Sequence, residues 1–239
     1  MQLQLFDTHL ESSNWLADQI VDAIIQKPNL TLCLASGDSP KLTYQIMVQR
    51  LIFKEIDYSK FHMLGLDEWV GISPDDTGSC AYFFHKYLIE PLALNKDQFH
   101  LFDGLSHDVD LECNKMDAII KEKGIDLMVV GIGMNGHIGF NEPGTAFDTF
   151  CHIVQLDSIT TSVGQKYFES SRILDKGITI GLGNLLDSKK VILIAHGEKK
   201  AKIISQTLGN EIGRHLPATI MKQHENACII IDRLAANKW

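Results

Sequence analysis

One polar, glycine-rich segment, residues 131–144, carries a histidine, two asparagines and a glutamate directly after the apolar run of residues 127–130. His137 has the one side-chain type that titrates near neutral pH without perturbation, and Glu142 is close enough in sequence to orient its imidazole. The glycines of the segment, Gly136 among them, let the backbone approach a ligand closely. A lone histidine is more often structural, but this setting favours a role in proton transfer.

Two adjacent carboxylates, Asp67 and Glu68, follow the apolar run of residues 61–66. Removing a proton from a carbon next to a carbonyl needs a positioned base, and partial burial moves the pKa of a carboxylate toward neutrality. One of the two is therefore a candidate general base, and the other is a candidate substrate contact. A solvated loop pair or a helix cap explains the two residues equally well when they are taken alone.

The turn formed by residues 36–40, Ser-Gly-Asp-Ser-Pro, is suited to an anion. It follows a predicted strand and precedes a predicted helix, so its backbone N–H groups and the helix dipole could hold a phosphate. The alternative is an ordinary loop in which Ser39 caps the helix. The candidate phosphate contacts are Ser36, Gly37, Asp38 and Ser39.

The charge balance limits the choice of ligand. The formal net charge is -8, which opposes a sequence-independent nucleic-acid binder, so an anionic substrate requires a locally positive pocket. Lys199 and Lys200 fall in the first turn of a predicted helix, where a cation opposes the helix dipole unless an anion binds beside it. A solvent-facing basic pair is the competing interpretation.

The elements that must position these residues alternate along the chain as βα units. The pattern predicts a doubly wound, mostly parallel, Rossmann-like α/β sheet with helices on both faces, in a single domain over residues 1–239. Ligands of such sheets bind beyond the carboxyl ends of the strands, where the candidate segments lie. The predicted strands are residues 30–35, 61–66, 126–131, 178–181, 191–195 and 228–231, and the predicted helices are 12–26, 40–51, 79–92, 109–123 and 199–208.

Composition also indicates the setting of the protein. The five cysteines include no Cys-x-x-Cys pair, which predicts neither a disulfide framework nor a metal site and suits a reducing cytoplasm. No apolar stretch is long enough to cross a bilayer, so we expect no membrane partner. The predicted state is a monomer or a small homo-oligomer.

Four segments together resemble the glucosamine-6-phosphate deaminase/isomerase family, and more closely its galactosamine-6-phosphate branch: residues 36–40, 66–71, 135–144 and 200–201. The likeness covers nearly the whole chain. It implies deamination and isomerisation of a hexosamine 6-phosphate to a ketohexose 6-phosphate, with no metal or organic cofactor. The roles it implies are a phosphate site from residues 36–39 and Lys200, a base that removes the C2 proton at Asp67, and ring opening by His137 with support from Asn135 and Glu142.

The chain departs from the family pattern at several positions. Asn135 stands where many members have aspartate, which removes one charge near His137. Where glucosamine-specific members have Ser-Arg-Phe-Phe, residues 165–168 read Gln-Lys-Tyr-Phe, so Lys166 or the later Arg172 becomes the candidate third phosphate contact. Trp69 and Cys80 stand where those members tend to have tyrosine, which favours the galactosamine branch.

Two other functions are compatible with parts of this pattern. A 6-phosphogluconolactonase resembles the chain in fold and in a related glycine-histidine segment, but residues 141–144, Asn-Glu-Pro-Gly, differ from the Ser-Leu-Phe-Pro stretch of lactonases. A non-catalytic sugar-phosphate sensor normally accompanies a DNA-binding segment, and no basic cluster precedes residue 30, where Lys27 is the one lysine or arginine.

Overall fold

The computed structural model describes residues 1–238 and contains ten strands and seven α-helices, which alternate along most of the chain. The strands are β1 (Gln2–Phe6), β2 (Thr31–Leu34), β3 (His62–Gly65), β4 (Asp67–Trp69), β5 (Phe99–His100), β6 (Leu127–Val130), β7 (His152–Gln155), β8 (Lys176–Thr179), β9 (Val191–Ala195) and β10 (Ala227–Asp232). The helices are α1 (His9–Gln26), α2 (Asp38–Phe53), α3 (Cys80–Phe84), α4 (Val109–Lys123), α5 (Ser158–Gly164), α6 (Leu182–Asp187) and α7 (Ala201–Gly209).

Seven parallel strands form the central sheet in the order β1-β10-β9-β6-β2-β3-β5. Its central strands β6 and β9 are apolar along their whole length because both faces of the sheet are covered. On β2, Leu32 and Leu34 pack with α1 and α2, whereas Cys33 belongs to the cluster that contains residues of α4, α6 and α7. The predicted doubly wound α/β fold class is therefore confirmed.

A second, antiparallel sheet of three strands, in the order β4-β8-β7, was not predicted. The predicted strand at residues 178–181 is wrong in position and partner, since β8 covers Lys176–Thr179 and pairs with β4 and β7 outside the central sheet. The strand β4 was missed because its three residues include two carboxylates, which suggest a loop. This small sheet covers the carboxyl-terminal edge of the central sheet and carries Asp67.

Several helix boundaries also differ from the prediction. The helix predicted at 79–92 is α3 followed by a single π-helical turn, His85–Ile89. The helix predicted at 199–208 begins with a 3-10 turn, Glu198–Lys200, before α7. Among residues 1–238, no helix is both long enough and apolar enough to span a membrane.

Candidate active site

The largest concentration of candidate residues surrounds a cavity of about 370 Å³. It lies beyond the carboxyl ends of β2, β6 and β9, and β4 contributes its side wall. The strands β6 and β2 are neighbours in the sheet. After β2 the chain continues to β3 on one side, and after β6 it continues to β9 on the other side. The cavity therefore lies at the point where the strand order reverses. Open α/β sheets bind their ligands at this point.

One end of the cavity is built to receive an anion. Gly37 precedes α2 with φ of 103°, and no side chain caps the amino terminus of that helix. The interpretation of Ser39 as a cap is therefore wrong, because α2 begins at Asp38 and Gly37 occupies the cap position. Free N–H groups and the dipole of a 16-residue helix attract negative charge.

Cationic side chains lie beside this loop. Lys200 faces the cavity and its Nζ donates to the carbonyl of Ile132 at 2.5 Å. Burial, with a contribution from the nearby charge of Lys166, lowers the pKa of Lys200 to about 8. Lys166 and Lys199 also line the cavity, and Lys166 pairs with Asp38 at 2.7 Å. Three lysines therefore contribute positive charge to the cavity, and Asp38 offsets part of it.

The two adjacent carboxylates have different surroundings. Asp67 lines the cavity, and burial raises its pKa to about 6 although a hydrogen bond from Cys80 and the charge of His137 oppose the shift. Glu68 points away from the cavity and accepts from the backbone N–H groups of Trp69, Cys80 and Ala81 at 2.8–3.0 Å. Only Asp67 is placed to receive a proton from a ligand, and Glu68 anchors the start of α3.

The imidazole of His137 is fixed from several sides. Its Nδ1 lies 3.3 Å from Glu142 Oε2 and 3.0 Å from Thr160 Oγ1, which leaves Nε2 as the nitrogen free to exchange a proton with a ligand. The ring lies against Gly133 so closely that a Cβ there would be 2.2 Å from Nε2. Glycine at 133 is therefore required for this position of the ring.

Glu142 is buried and serves as the charged partner of His137. Burial raises the pKa of this carboxyl, but hydrogen bonds and charge from His137 outweigh burial, so its pKa is lowered overall. Asn135 donates to Glu142 Oε2 at 2.7 Å and accepts from the backbone N–H of His137 at 3.2 Å. An amide at 135 therefore supplies the donor that an ionised aspartate could not, and only one carboxylate contacts His137.

Two other predicted contacts lie away from the cavity. Arg172 pairs with Asp76 at 2.8 Å and does not line the cavity, whereas Lys166 does. Gly136 lies against Leu216 behind the cavity wall. The structure therefore brings together Ser36, Gly37, Asp38, Ser39, Asp67, His137, Lys166 and Lys200 at the cavity, places Asn135 and Glu142 behind His137, and leaves Glu68, Gly136 and Arg172 outside it.

The lining residues that were not predicted from the sequence as site residues include Cys80, Thr160, Tyr167 and His196. Their contacts cross long sequence separations, as with Thr160 and His137 or the stacked rings of His9 and His196, whose centroids are 3.5 Å apart. Of these four residues, only Cys80 was noted in the sequence, because it stands where glucosamine-specific members of the family tend to have tyrosine. Across residues 1–238 we find no group of three or more acidic, histidine or cysteine side chains arranged to hold a metal ion.

Comparison with known proteins identifies the class to which this fold and site belong. The family model described as "Glucosamine-6-phosphate isomerases/6-phosphogluconolactonase" matches residues 8–230. The chain belongs to this family and, like its curated relatives, is an enzyme.

The relatives are similar over most of both chains. A glucosamine-6-phosphate deaminase of Bacillus pumilus is 39% identical over 220 residues, which cover 91% of each chain. One from Thermoanaerobacter sp. is 37% identical over 229 residues, covering 95% of this chain and 90% of the relative. These matches confirm the family resemblance and do not single out the galactosamine branch.

Solved structures agree with the fold. A structure described as a monomeric glucosamine-6-phosphate deaminase superposes with a TM-score of 0.96 at 30% identity, with both chains fully covered. The 6-phosphogluconolactonase from Trypanosoma brucei superposes with a TM-score of 0.80 at 18% identity, covering 99% of this chain and 97% of that one. The second likeness is one of fold alone.

Proposed function

We propose that this enzyme converts a hexosamine 6-phosphate and water to a ketohexose 6-phosphate and ammonia. The observation that carries the proposal is the shared cavity of Asp67 and His137, with an anion-binding loop and Lys200 at one end. A sugar phosphate anchored at that end presents its ring to the acid-base pair. Binding energy from the phosphate thus positions the reacting carbons.

The proposed reaction begins with ring opening. His137 takes the proton from the hydroxyl at O1 and returns it to the ring oxygen, while Glu142 holds its Nδ1 and stabilises the transient positive charge. The product of this step is an open-chain aldehyde with an amine on C2. Thr160 contributes a second contact to Nδ1, which fixes the tautomer.

Isomerisation follows at C2. Asp67 removes the C2 proton, and the electron pair moves through C1 to the aldehyde oxygen to give an enolamine. Protonation at C1 gives a C2 imine, to which water adds, and ammonia leaves as the ketone forms. A pKa near 6 suits Asp67 to this step, because the carboxylate is ionised at neutral pH yet more basic than an exposed aspartate.

The choice between C4 epimers is part of the proposal. The names of the curated relatives support glucosamine 6-phosphate. Trp69 and Cys80, both lining the cavity, support galactosamine 6-phosphate through their departure from the glucosamine pattern. We propose that the enzyme accepts one of these two epimers, and that its oligomeric state is a monomer or a small homo-oligomer.

The test offers glucosamine 6-phosphate, galactosamine 6-phosphate and 6-phosphogluconolactone separately to the purified protein and measures ammonia, ketose phosphate and acid. We expect ammonia and ketose phosphate in equal amounts from at least one amino sugar. Asp67→Asn should retain binding of the substrate and lose ammonia release, whereas Asp22→Asn, on an exposed face of α1, should match the unaltered protein. Acid from the lactone without ammonia, or binding of an amino sugar without turnover, would overturn the proposal.

A further inference from the structure

A thiol that the proposed proton transfers do not use lies between two groups that take part in binding and catalysis. Cys80 begins α3 and is 5% exposed. Its Sγ lies 3.1 Å from Ser36 Oγ and 3.4 Å from Asp67 Oδ1. A hydrogen-bonded chain therefore runs from the phosphate loop to the proposed base.

The direction of each hydrogen bond follows from the charges. Burial, followed by the negative charges of Glu68 and Asp67, raises the pKa of the Cys80 thiol well above its usual range, so the thiol keeps its proton. An ionised carboxylate can only accept. The thiol therefore donates to Asp67, and its sulfur accepts from the hydroxyl of Ser36.

The backbone holds the sulfur in place. The N–H of Cys80 donates to Glu68 Oε1 at 3.0 Å, and the side chain of Ser79 caps α3 by accepting from Tyr82. The buried carboxylate of Glu68, which faces away from the cavity, thus fixes the residue that contacts Asp67.

We propose that Cys80 is a positioning residue that orients the carboxylate of Asp67 and couples it to Ser36 of the phosphate loop. This inference rests on the proposed function, in which Asp67 removes the C2 proton. A thiol is a weak donor, so it fixes the carboxylate while depressing its basicity less than a hydroxyl would. Chains of hydrogen bonds also polarise one another. When Ser36 turns its hydroxyl to a phosphate oxygen, the thiol becomes a weaker donor and Asp67 a stronger base.

The kinetic test compares Cys80→Ala and Cys80→Ser with Cys113→Ala. The control removes a thiol that is similarly buried, at 6% exposure, but lies on α4 outside the cavity. We expect Cys80→Ala to lower kcat about 10-fold with a smaller change in KM, because the base loses its orientation. In a plot of kcat against pH, the rise on the acidic side should also move to higher pH by about half a unit, because the ionised carboxylate of Asp67 loses a hydrogen-bond donor. We call this rise the acidic limb.

The other two variants decide whether hydrogen bonding is the cause. Cys80→Ser should restore kcat and return the limb to its original pH or below, and Cys113→Ala should leave both unchanged. An unchanged acidic limb in Cys80→Ala, or equal losses in Cys80→Ala and Cys80→Ser, would overturn the proposal.

A spectroscopic measurement separates this inference from the proposed function, since it requires no turnover. The S–H stretching band of Cys80 is obtained as the infrared difference between the unaltered protein and Cys80→Ala. We expect the band to shift as Asp67 titrates near its pKa of about 6 and to lose that shift in Asp67→Asn. If the unaltered protein releases no ammonia, the proposed function fails while the band still reports on Cys80. A band that does not change with pH in the unaltered protein would refute the positioning role.

Discussion

The rate of the enzyme should depend on pH through two groups that line the cavity, Asp67 and Lys200. Asp67, with a pKa of about 6, must be ionised to act as a base, so kcat should rise with pH through this value. At about pH 5 the ionised fraction is about one-tenth, which predicts a kcat about 10-fold below its plateau. Lys200, with a pKa of about 8, must be protonated to attract phosphate, so kcat/KM should fall above this value, by about 10-fold at about pH 9.

The measurement is a steady-state profile of ammonia release between about pH 5 and pH 9.5, in a series of buffers at constant ionic strength. The acidic limb is taken from kcat at saturating substrate, because the phosphate of the substrate itself titrates near pH 6 and affects KM. The alkaline limb is taken from kcat/KM, which reports groups of the free enzyme.

A substitution at Lys200 tests whether this residue causes the fall in kcat/KM at high pH, the alkaline limb. Lys200→Arg keeps a positive charge across the whole range, so the fall above pH 8 should disappear even where the larger side chain raises KM at every pH. Lys202→Arg is the matched control, since Lys202 is exposed on α7 and does not line the cavity, and it should leave the fall in kcat/KM in place. An alkaline limb that persists unchanged in Lys200→Arg would refute the assignment to Lys200.

Three further substitutions test other contacts of the site. Gly133→Ala should lower kcat about 100-fold, because the added Cβ would occupy the place of the His137 ring. Steady-state kinetics measure the loss, and a far-UV circular dichroism spectrum checks that the variant is folded. Full activity would contradict the described ring position. Thr160→Val removes a 3.0 Å contact to His137 Nδ1 and should lower kcat several-fold. The control is Thr161→Val, at a neighbouring residue that does not line the cavity, and equal effects of the two substitutions would contradict a specific role of Thr160. Lys166→Met should raise KM and change the free energy of unfolding by less than about 1 kcal/mol, since its ion pair with Asp38 is exposed; a larger loss on chemical denaturation would show a structural role instead.

The five inner strands of the central sheet were predictable from their composition, whereas its edge strands β1 and β5 were not predicted. Residues 191–195 and 127–130 are continuous apolar runs, and both are strands of the buried centre. The glycine-rich segment after β6 was equally visible, because polar residues at a strand end have few structural uses. The local sequence pattern was enough to predict a site where one segment contains both the strand and the residues that follow it with a chemical role.

The small sheet was not predictable from such patterns. The strand β4 is three residues long, and its pairing with β8 joins Asp67 to Thr179 across more than a hundred residues. Its carboxylate Glu68 is tolerated in a buried strand because three backbone N–H groups satisfy it, and those donors come partly from α3. Tertiary contacts of this kind produce no regular spacing of apolar residues from which they could be predicted.

The contacts behind His137 show the same limit. Glu142 follows within five residues and was predicted as its partner, whereas Thr160 contacts the same nitrogen from α5, twenty-three residues away. Sequence proximity identified Glu142 as a partner of His137 and could not identify Thr160. The assignment of Glu68 and Arg172 to the substrate had no such local support, and both lie outside the cavity.

The cavity is divided between two sheets, which contribute different parts of the site in the proposed reaction. In the proposed reaction, loops of the central sheet hold the phosphate, whereas the position of the base depends on the pairing of β4 with β8. Substitutions beneath β8 can therefore move the carboxylate relative to a substrate whose anchor stays fixed. We therefore expect such substitutions to change which sugar is processed, or how fast, while the contacts to the phosphate stay the same.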